Sequence, residues 1–574
     1  MENIFVEFLP PWIETGLQPA FYDKESGTVL QQVARMYAKV NYLVEMFNTL
    51  SKDTITEINT FEQDTTETVN EYIAKFVALK DFVDDYFDNL DVQQEINNKL
   101  DEMVEDGTLL EIVGQYLTST ALWTFDSVSD MQASTNLING SFAKTIGFYN
   151  KNDGGGAVYK IRKVTNDDVV DGSTIIEIND SADELIAELI FEPIMNVKQF
   201  GVTTANTTNS KFQIALTKCE GRKLIIPEGT YRVDSSMNLP DNIEIECHGK
   251  ITYSGDIIYL FQHPDGTSTG DITFDGIEIE KLDSSFNNLN RFIMVQGGNL
   301  RVVNSTFTNY ATAIHALFTN SLYCDNNKFY NVHGTLAQYG YGIDTSSAVD
   351  TITNNYFVNT NNTQGRHAVY LNGETKTYSF IDNLYVEHWR HNPINIAIIN
   401  TNPSKVVITN LTFKDALITS PGSSTNGRIG AIQLADNSTN VELIIDSLNI
   451  DGTLRDAVVA ISPTSHAKIT NVNCKFGTGG DTTNWNGMYL RYTTYYLSDI
   501  HFEIPDPETS ALNHAVILNG CNAYINNITA NATYGVNKDL VNAVNSTAIL
   551  GLYANGTING SGTYTITPMT LYSA

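Results

Sequence analysis

LYCDNNKFYNV (Leu322–Val332), TITNNYFVN (Thr351–Asn359) and FIDNLYVEHW (Phe380–Trp389) are three versions of one pattern. Each contains an apolar residue, a spacer, Asn, two further residues and a second apolar residue: Cys324-x-Asn326-x-x-Phe329, Ile352-x-Asn354-x-x-Phe357, Ile381-x-Asn383-x-x-Val386. Alternation on either side of the Asn is the period of a half-buried strand, and Asn itself is a turn former. The pattern recurs, with its third position at Asn242, Gly276, Asn304, Asn326, Asn354, Asn383, Asn410, Ser447, Asn471, Asp499 and Asn527. Steps run from 22 to 37 residues, most of them 27 to 29. A second strand follows in most units, as in YGIDTS (341–346), HAVYLNG (367–373), INIAII (394–399) and GAIQLA (430–435). A period in the twenties with short strands and polar turns signals a solenoid. Leucine-rich repeats would show regular Leu spacing, and propeller blades need roughly 40 residues or more. The reading is therefore mainly β: a right-handed parallel β-helix, a single-stranded solenoid with one coil per unit and coils about 4.8 Å apart. The Asn column is expected at one corner, tying polar side chains to turn backbone.

Outward from the repeats, the β-helix is assigned to residues 197–548, with SKFQIALTK (210–218) as an amphipathic helix over its N-terminal opening and 549–574 as a C-terminal β cap. Residues 119–196 read as a small α+β connector, where NKNDGGGAVYKIRKV (150–164) is a turn followed by a strand. No GK[ST] follows the three glycines, so they are not a phosphate loop. Residues 1–118 read as helix. Val29, Val33, Met36, Val40, Leu43, Phe47 and Leu50 step by 4 and 3, and the seam resumes at Tyr72, Phe76, Leu79, Val83, Tyr86 and Leu90. Residues 51–110 carry 16 acidic and 4 basic side chains, an acidic outer face. Such a seam needs partner helices: an α-helical coiled-coil stalk made by identical chains, or a hairpin within one chain.

The 574 residues are too many for one ordinary domain, and only 17% are charged. With 34 Lys plus Arg against 66 Asp plus Glu, the net charge of −32 repels nucleic acid and anionic membranes. Five scattered cysteines (Cys219, Cys247, Cys324, Cys474, Cys521) form no CxxC pair, so buried free thiols are expected rather than disulfides or zinc. The opening MENIFVEFLPPWIETG lacks a basic region before an apolar core, so no secretory signal is expected, and no apolar run is long enough for a membrane insertion.

Two stretches resemble a known group. VKQFGVTTANTTNSKFQIALTKCEGRKLIIPEGTYRV (197–233) is similar to the opening of pectate-lyase-superfamily β-helices in phage tail spikes, with VKQFG and IPEGTY kept and the usual GDG-TDDT replaced by TTANTTNS. LPPWIETGLQPAFYDKESGTVLQQVARMYAKVNYLVEMFN (9–48) and LDVQQEINNKLDEMVEDGTL (90–109), with the DGGGAVYKI connector, resemble virion-attachment regions of tail proteins from phages of Gram-positive bacteria. The resemblance implies a homotrimer joined to phage tail, neck or baseplate proteins through its N-terminal region. It would be assembled in the host cytoplasm, sit in the virion tail and act at the outer surface of the host cell. Its β-helix would bind host cell-surface glycan (capsule, exopolysaccharide or teichoic acid) and depolymerise it. The alternatives are a non-catalytic receptor-binding or structural tail fibre, a polysaccharide lyase on the same fold, and a bacterial adhesin, which the missing export signal argues against.

Hydrolysis of a glycan needs two carboxyl groups, elimination beside a uronate needs a base and a cation, and sugar binding uses aromatic faces. Residues 339–391 gather Tyr339, Tyr341, Asp344, Arg366, His367, Tyr370, Glu374, Glu387, His388, Trp389, Arg390 and His391. Asp344 is expected to align with Tyr370, Ala397 and Gln433 on successive coils and, since Ile343, Val369 and Leu371 alternate with them, to face outward. Asp344 and Glu387 are assigned as the catalytic carboxyl pair, two coils apart. Arg366, His367, Tyr370, Trp389, Arg390 and Tyr341 are assigned to substrate, with Trp389 in a surface turn. Elimination would instead use His367 or Arg366 as base, with Arg390 neutralising a uronate. A His367/His388/His391 metal site lacks an HxH or HExxH frame, so neither metal nor cofactor is expected. Asp481, Trp485, Tyr489 and Arg491 form a second candidate cluster.

Overall fold

The computed structural model describes residues 103–106 and most of 122–568. The exceptions within the latter are 180–183, 206, 208, 264–267, 284–289, 334–339, 361–364, 416–429, 436–437, 454–455, 461–465, 477–485, 504–513, 532–538, 545, 551–557 and 560–565. The heptad seam, Tyr339, Asp481 and Trp485 lie outside the described residues. No described helix is long and apolar enough to cross a membrane.

The connector forms a five-stranded sheet in the spatial order Leu122–Phe125, Phe142–Thr145, Val158–Lys163, Leu185–Leu189, Ile175–Glu177. Its glycine run has a steric cause. A Cβ on Gly155 would meet the Lys198 carbonyl oxygen at 2.4 Å, and one on Gly156 the Thr145 carbonyl oxygen at 2.7 Å. VKQF is a 3-10 turn, Val197–Phe200, whose Asn196 side chain accepts from the Lys198 amide while Gln199 accepts from the Asn196 amide. The expected helix follows at Asn209–Lys218, burying Phe212, Ala215 and Leu216. These residues join one hydrophobic cluster that runs from Val128 in the connector to Val541 in the coils.

From Arg222 onward, strands pair in parallel with the strand one coil later. Leu322–Asp350–Ser379–Val406 and Cys324–Ile352–Ile381–Ile408 are two columns of one ladder, and Phe329–Phe357–Val386–Phe413 is a column of the next. These coils are thus a parallel β-helix. In the last segment, Ile558–Asn559 and Ile566–Pro568 continue the same parallel pairing. Inside the solenoid Phe307, Phe329 and Phe357 stack, the last pair at 4.4 Å.

The repeated Asn explains the corner, by a different route from the one expected. Asn304, Asn326, Asn354, Asn383, Asn410, Ser447, Asn471, Asp499 and Asn527 all have φ between 52° and 59°, the left-handed region that Asn tolerates best among non-glycine residues; Gly276 is at 72°. The side chains bond less to turn backbone than to the preceding coil: Asn326 to Asn304 Oδ1 at 2.8 Å, Asn354 to Asp325 at 2.7 Å, Asn383 to Asn354 at 2.7 Å. Next to this corner, Asn327 and Asn355 are buried and bond the Val302 and Cys324 carbonyls.

One core-facing column is interrupted by charge. Asp350 and Lys376 form a fully buried ion pair, completed by Ser379 Oγ and Thr345 Oγ1 donating to Asp350 and by Lys376 Nζ donating to the Ser347 carbonyl at 2.8 Å. Burial pushes the Lys376 ammonium below its usual range, and Asp350 pulls it back. All five cysteines are free and buried, as expected.

Candidate functional site on the outer ladder

The ladder that follows each coil's loop carries the site. Its strands include Arg291–Val303, Thr312–Leu317, Tyr341–Thr345, His367–Gly373, the start of Ile394–Lys414, and Gly430–Leu434. In each coil two successive residues face the core: Phe292 and Ile293, Ala313 and Ile314, Gly342 and Ile343, Ala368 and Val369. The first of each pair is skipped in the ladder pairing. This double inward step sends both flanking positions to the outer face. One outer column is Arg291–Thr312–Tyr341–His367, and the other is Met294–His315–Asp344–Tyr370–Asn395–Gln433.

Asp344 and Tyr370 therefore do point away from the core, next to one another, with Gln433 further along. The fourth member is Asn395 and not Ala397, because Ile394 pairs with Val369 and Ala397 falls opposite Asn372. Outward does not mean open: Asp344 is 7% exposed. Asn372 Nδ2 donates to its Oδ1 at 2.7 Å, and His315 Nε2 lies 3.5 Å from its Oδ2. Burial pushes the Asp344 carboxyl up to about 6, against the pull of Arg291, the Asn372 hydrogen bond, Lys376 and Arg366. Burial holds the His315 imidazole down at about 3, with Arg291 adding to the effect.

Beside Asp344 three rings meet. Tyr341 stacks on His367 at 5.4 Å and on Tyr370 at 5.4 Å, and His367 on Tyr370 at 5.2 Å. Arg366 donates to the Tyr341 hydroxyl at 2.8 Å. His367 is buried and donates from Nδ1 to the Asn392 carbonyl at 2.8 Å, while its ring meets that of His391 edge-on at 5.5 Å. Burial drives the His367 imidazole well below its usual range, and His391 to about 4.

Trp389 is a correction. It is fully buried, edge-on to Phe357 in the core, and carries no surface for a sugar. The cause is His388, whose φ of 56° reverses the chain and tucks the indole inward against Gly365, where a Cβ would meet Trp389 Cε2 at 2.8 Å. Arg390 is half-buried.

Glu387 sits on a different ladder from Asp344, at the end of Tyr385–Glu387 and paired with Val358 and Lys414. It accepts from Tyr385 Oη at 2.9 Å and Lys414 Nζ at 3.1 Å. Burial raises its carboxyl, but those two bonds together with the electrostatic pull of Lys414 and His388 outweigh it and the net shift is downward. The two carboxyl groups share none of these contacts, and one coil plus part of the next separates them rather than two coils. His388 also stays with Glu387 and Asp415, whose ligand atoms lie within 4.8 Å of one another, so His367, His388 and His391 are not gathered. Of the second cluster, Tyr489 is buried and Arg491 half-buried. Sequence reading missed His315, Asn372, Asn392 and Asn395. Once Asp344 and Tyr370 are placed, the strand register marks three of these positions.

No family model matches the chain, and no curated protein matches it. Solved structures do. A glycan biofilm modifying enzyme from Pantoea stewartii, with a bacteriophage tailspike-like parallel β-helix fold, is 13% identical over 58% of this chain and 48% of its own, with a TM-score of 0.38. The catalytic unit of an α-1,3-glucanase from Streptomyces thermodiastaticus is 14% identical over 68% of this chain and 74% of its own, TM-score 0.36. A tailspike from Acinetobacter baumannii bacteriophage Fri1, a capsular polysaccharide depolymerase, is 11% identical over 77% of this chain and 75% of its own, TM-score 0.30. The chain spans about half the length of the Pantoea protein. Likenesses this distant carry no argument about chemistry, which rests on the residues above.

Proposed function

We propose that the chain is a phage tail spike whose β-helix binds a host cell-surface polysaccharide and depolymerises it during adsorption, by glycoside hydrolysis with Asp344 as proton donor. One observation carries this reading: a carboxyl group on the outer ladder, held near pH 6 by burial and set beside the half-buried ring of Tyr370, which the buried rings of Tyr341 and His367 hold in place by stacking. A general acid works best when its titration lies near the working pH, and rings with polar edges suit sugars. Glu387, shifted toward its ionised form, is the second carboxyl to test. A homotrimer on an N-terminal stalk attached to the virion belongs to the same proposal.

Elimination is the second reading. Asp344 is the only carboxyl in the outer column Met294–His315–Asp344–Tyr370–Asn395–Gln433, and the Arg366 guanidinium lies close by. The test is incubation of the full chain with purified bacterial surface polysaccharides, followed by size-exclusion chromatography and analysis of the new ends. Shortening that leaves only saturated ends and is lost in Asp344→Asn supports hydrolysis. Shortening with ultraviolet-absorbing unsaturated ends supports elimination. Polysaccharide that co-elutes at unchanged length makes the chain a binding fibre. Full activity in Glu387→Gln removes Glu387 from the pair.

A further inference from the structure

Around the His367 ring several buried polar atoms lack a hydrogen bond of good geometry: Arg366 Nε, His391 Nδ1, both amide atoms of Asn392, and Asn395 Oδ1; of these, only the His391 ring and the Asn392 amide interact with one another. Asn392 is 1% exposed and His391 9%. A buried polar atom without a partner is destabilising, and native folds keep few of them, so a group of this kind marks a place where something else supplies the bonds.

The donor and acceptor inventory says what. His367 Nδ1 donates to the Asn392 carbonyl and burial keeps the imidazole neutral, which leaves Nε2 as an acceptor. Asn395 must then turn its Nδ2 toward Nε2, 3.4 Å away, which leaves its buried Oδ1 as an acceptor. Asn392 offers one acceptor and one donor pair, and Arg366 Nε one donor. Carboxylates and phosphates only accept, and would face two amide carbonyl oxygens here. Hydroxyl groups both donate and accept, and match the mixture.

We infer that Arg366, His391, Asn392 and Asn395, gathered around His367, form a subsite for an uncharged sugar unit of the polysaccharide, held through its hydroxyl groups. The inference rests on the proposed polysaccharide reading and adds a direction to it. Asn395 stands two rungs from Asp344 in the same column, roughly 10 Å along the solenoid at ordinary strand spacing. The polymer then runs along the ladder, with a neutral unit on the C-terminal side of the reacting bond.

The test uses the full chain and simple probes: methyl glycosides of glucose, galactose and mannose, glucuronate and inorganic phosphate, followed by saturation-transfer NMR. The expected result is contact with a neutral glycoside, retained in Asp344→Asn and weakened roughly tenfold in Asn392→Ala or Asn395→Ala. Asn395 is half-buried, so its variant keeps the test alive where the Asn392 variant fails to fold. Contact with glucuronate or phosphate alone overturns the inference, as does no contact with any probe, which would leave these atoms to water. A wild type that shortens polysaccharide while both Asn variants keep its KM also overturns the subsite but leaves the proposed function standing. A wild type that neither binds nor shortens any polysaccharide ends that function instead.

Discussion

Asp344 is where a single residue couples stability to chemistry. Its carboxyl titrates near 6 in the fold against 3.8 unperturbed, so the folded chain holds this proton more tightly than the unfolded one. The group therefore opposes folding when ionised: stability contributed on the acid side is lost as pH rises from about 4 through 6. Asp344→Asn removes the charge and keeps an acceptor for Asn372. It is expected to raise stability near pH 7 by an amount on the order of 3 kcal/mol, and to give no gain near pH 4. Cleavage should fall at least about a hundredfold in the same variant. Thermal melts at the two pH values check the first part, and no gain near pH 7 would mean a solvated carboxyl. The outward direction of Asp344 and Tyr370 was legible from Ile343, Val369 and Leu371. The layer that buries Asp344 was not, because His315 and Asn372 belong to other coils and only register brings them close. Trp389 misled for a related reason: charged neighbours suggested a surface turn, but one left-handed residue before it turned the ring inward.

At the scale of the element, the corner Asn is set by backbone conformation. Asn354 has φ 56° and links two coils, donating to Asp325 and accepting from Asn383. Asn354→Ala should lose about 2 kcal/mol, from left-handed strain and missing ladder bonds, while Asn354→Gly should lose distinctly less. Chemical denaturation of both variants decides it; equal losses would assign the whole effect to the side-chain ladder. The repeat was readable because this conformation restricts the residue choice at every corner. The outer ladder was harder to read, since two successive inward residues break the simple alternation. By alternation from Ile343, Tyr341 would sit in the core; Gly342 permits the step, because a Cβ there would strike Phe357 Cε1 at 2.4 Å. Placing Ala397 opposite Tyr370 was an error of the same kind: the coil lengths vary, and nothing in INIAII shows that its first Ile pairs with Val369.

For the whole molecule, one core shared by connector and coils means that groups far apart in sequence titrate against a common unfolding. His315, His367 and His391 are held neutral, with folded values below the unfolded one, so each makes the fold lose stability as pH falls below about 6.5. Asp344 opposes them by one proton. The balance of two protons near pH 5 predicts a loss of about 3 kcal/mol per unit of acidification from these four groups, measurable by denaturant titration across pH. A slope near zero would place the histidines in water. The buried Lys376–Asp350 pair has another consequence. Coils that look alike can stack on the wrong neighbour, and an apolar lumen would hardly object to a slip of one rung. The Lys376–Asp350 pair does object, because only one alignment brings this ammonium and this carboxylate together and every other leaves a bare charge in hydrocarbon. Replacing both by Met and Leu is expected to leave the folded chain no less stable while more of it refolds into misassembled stacks, seen as lower monodisperse yield after dilution from denaturant. The pair then acts as an address label, telling each coil which neighbour is its own.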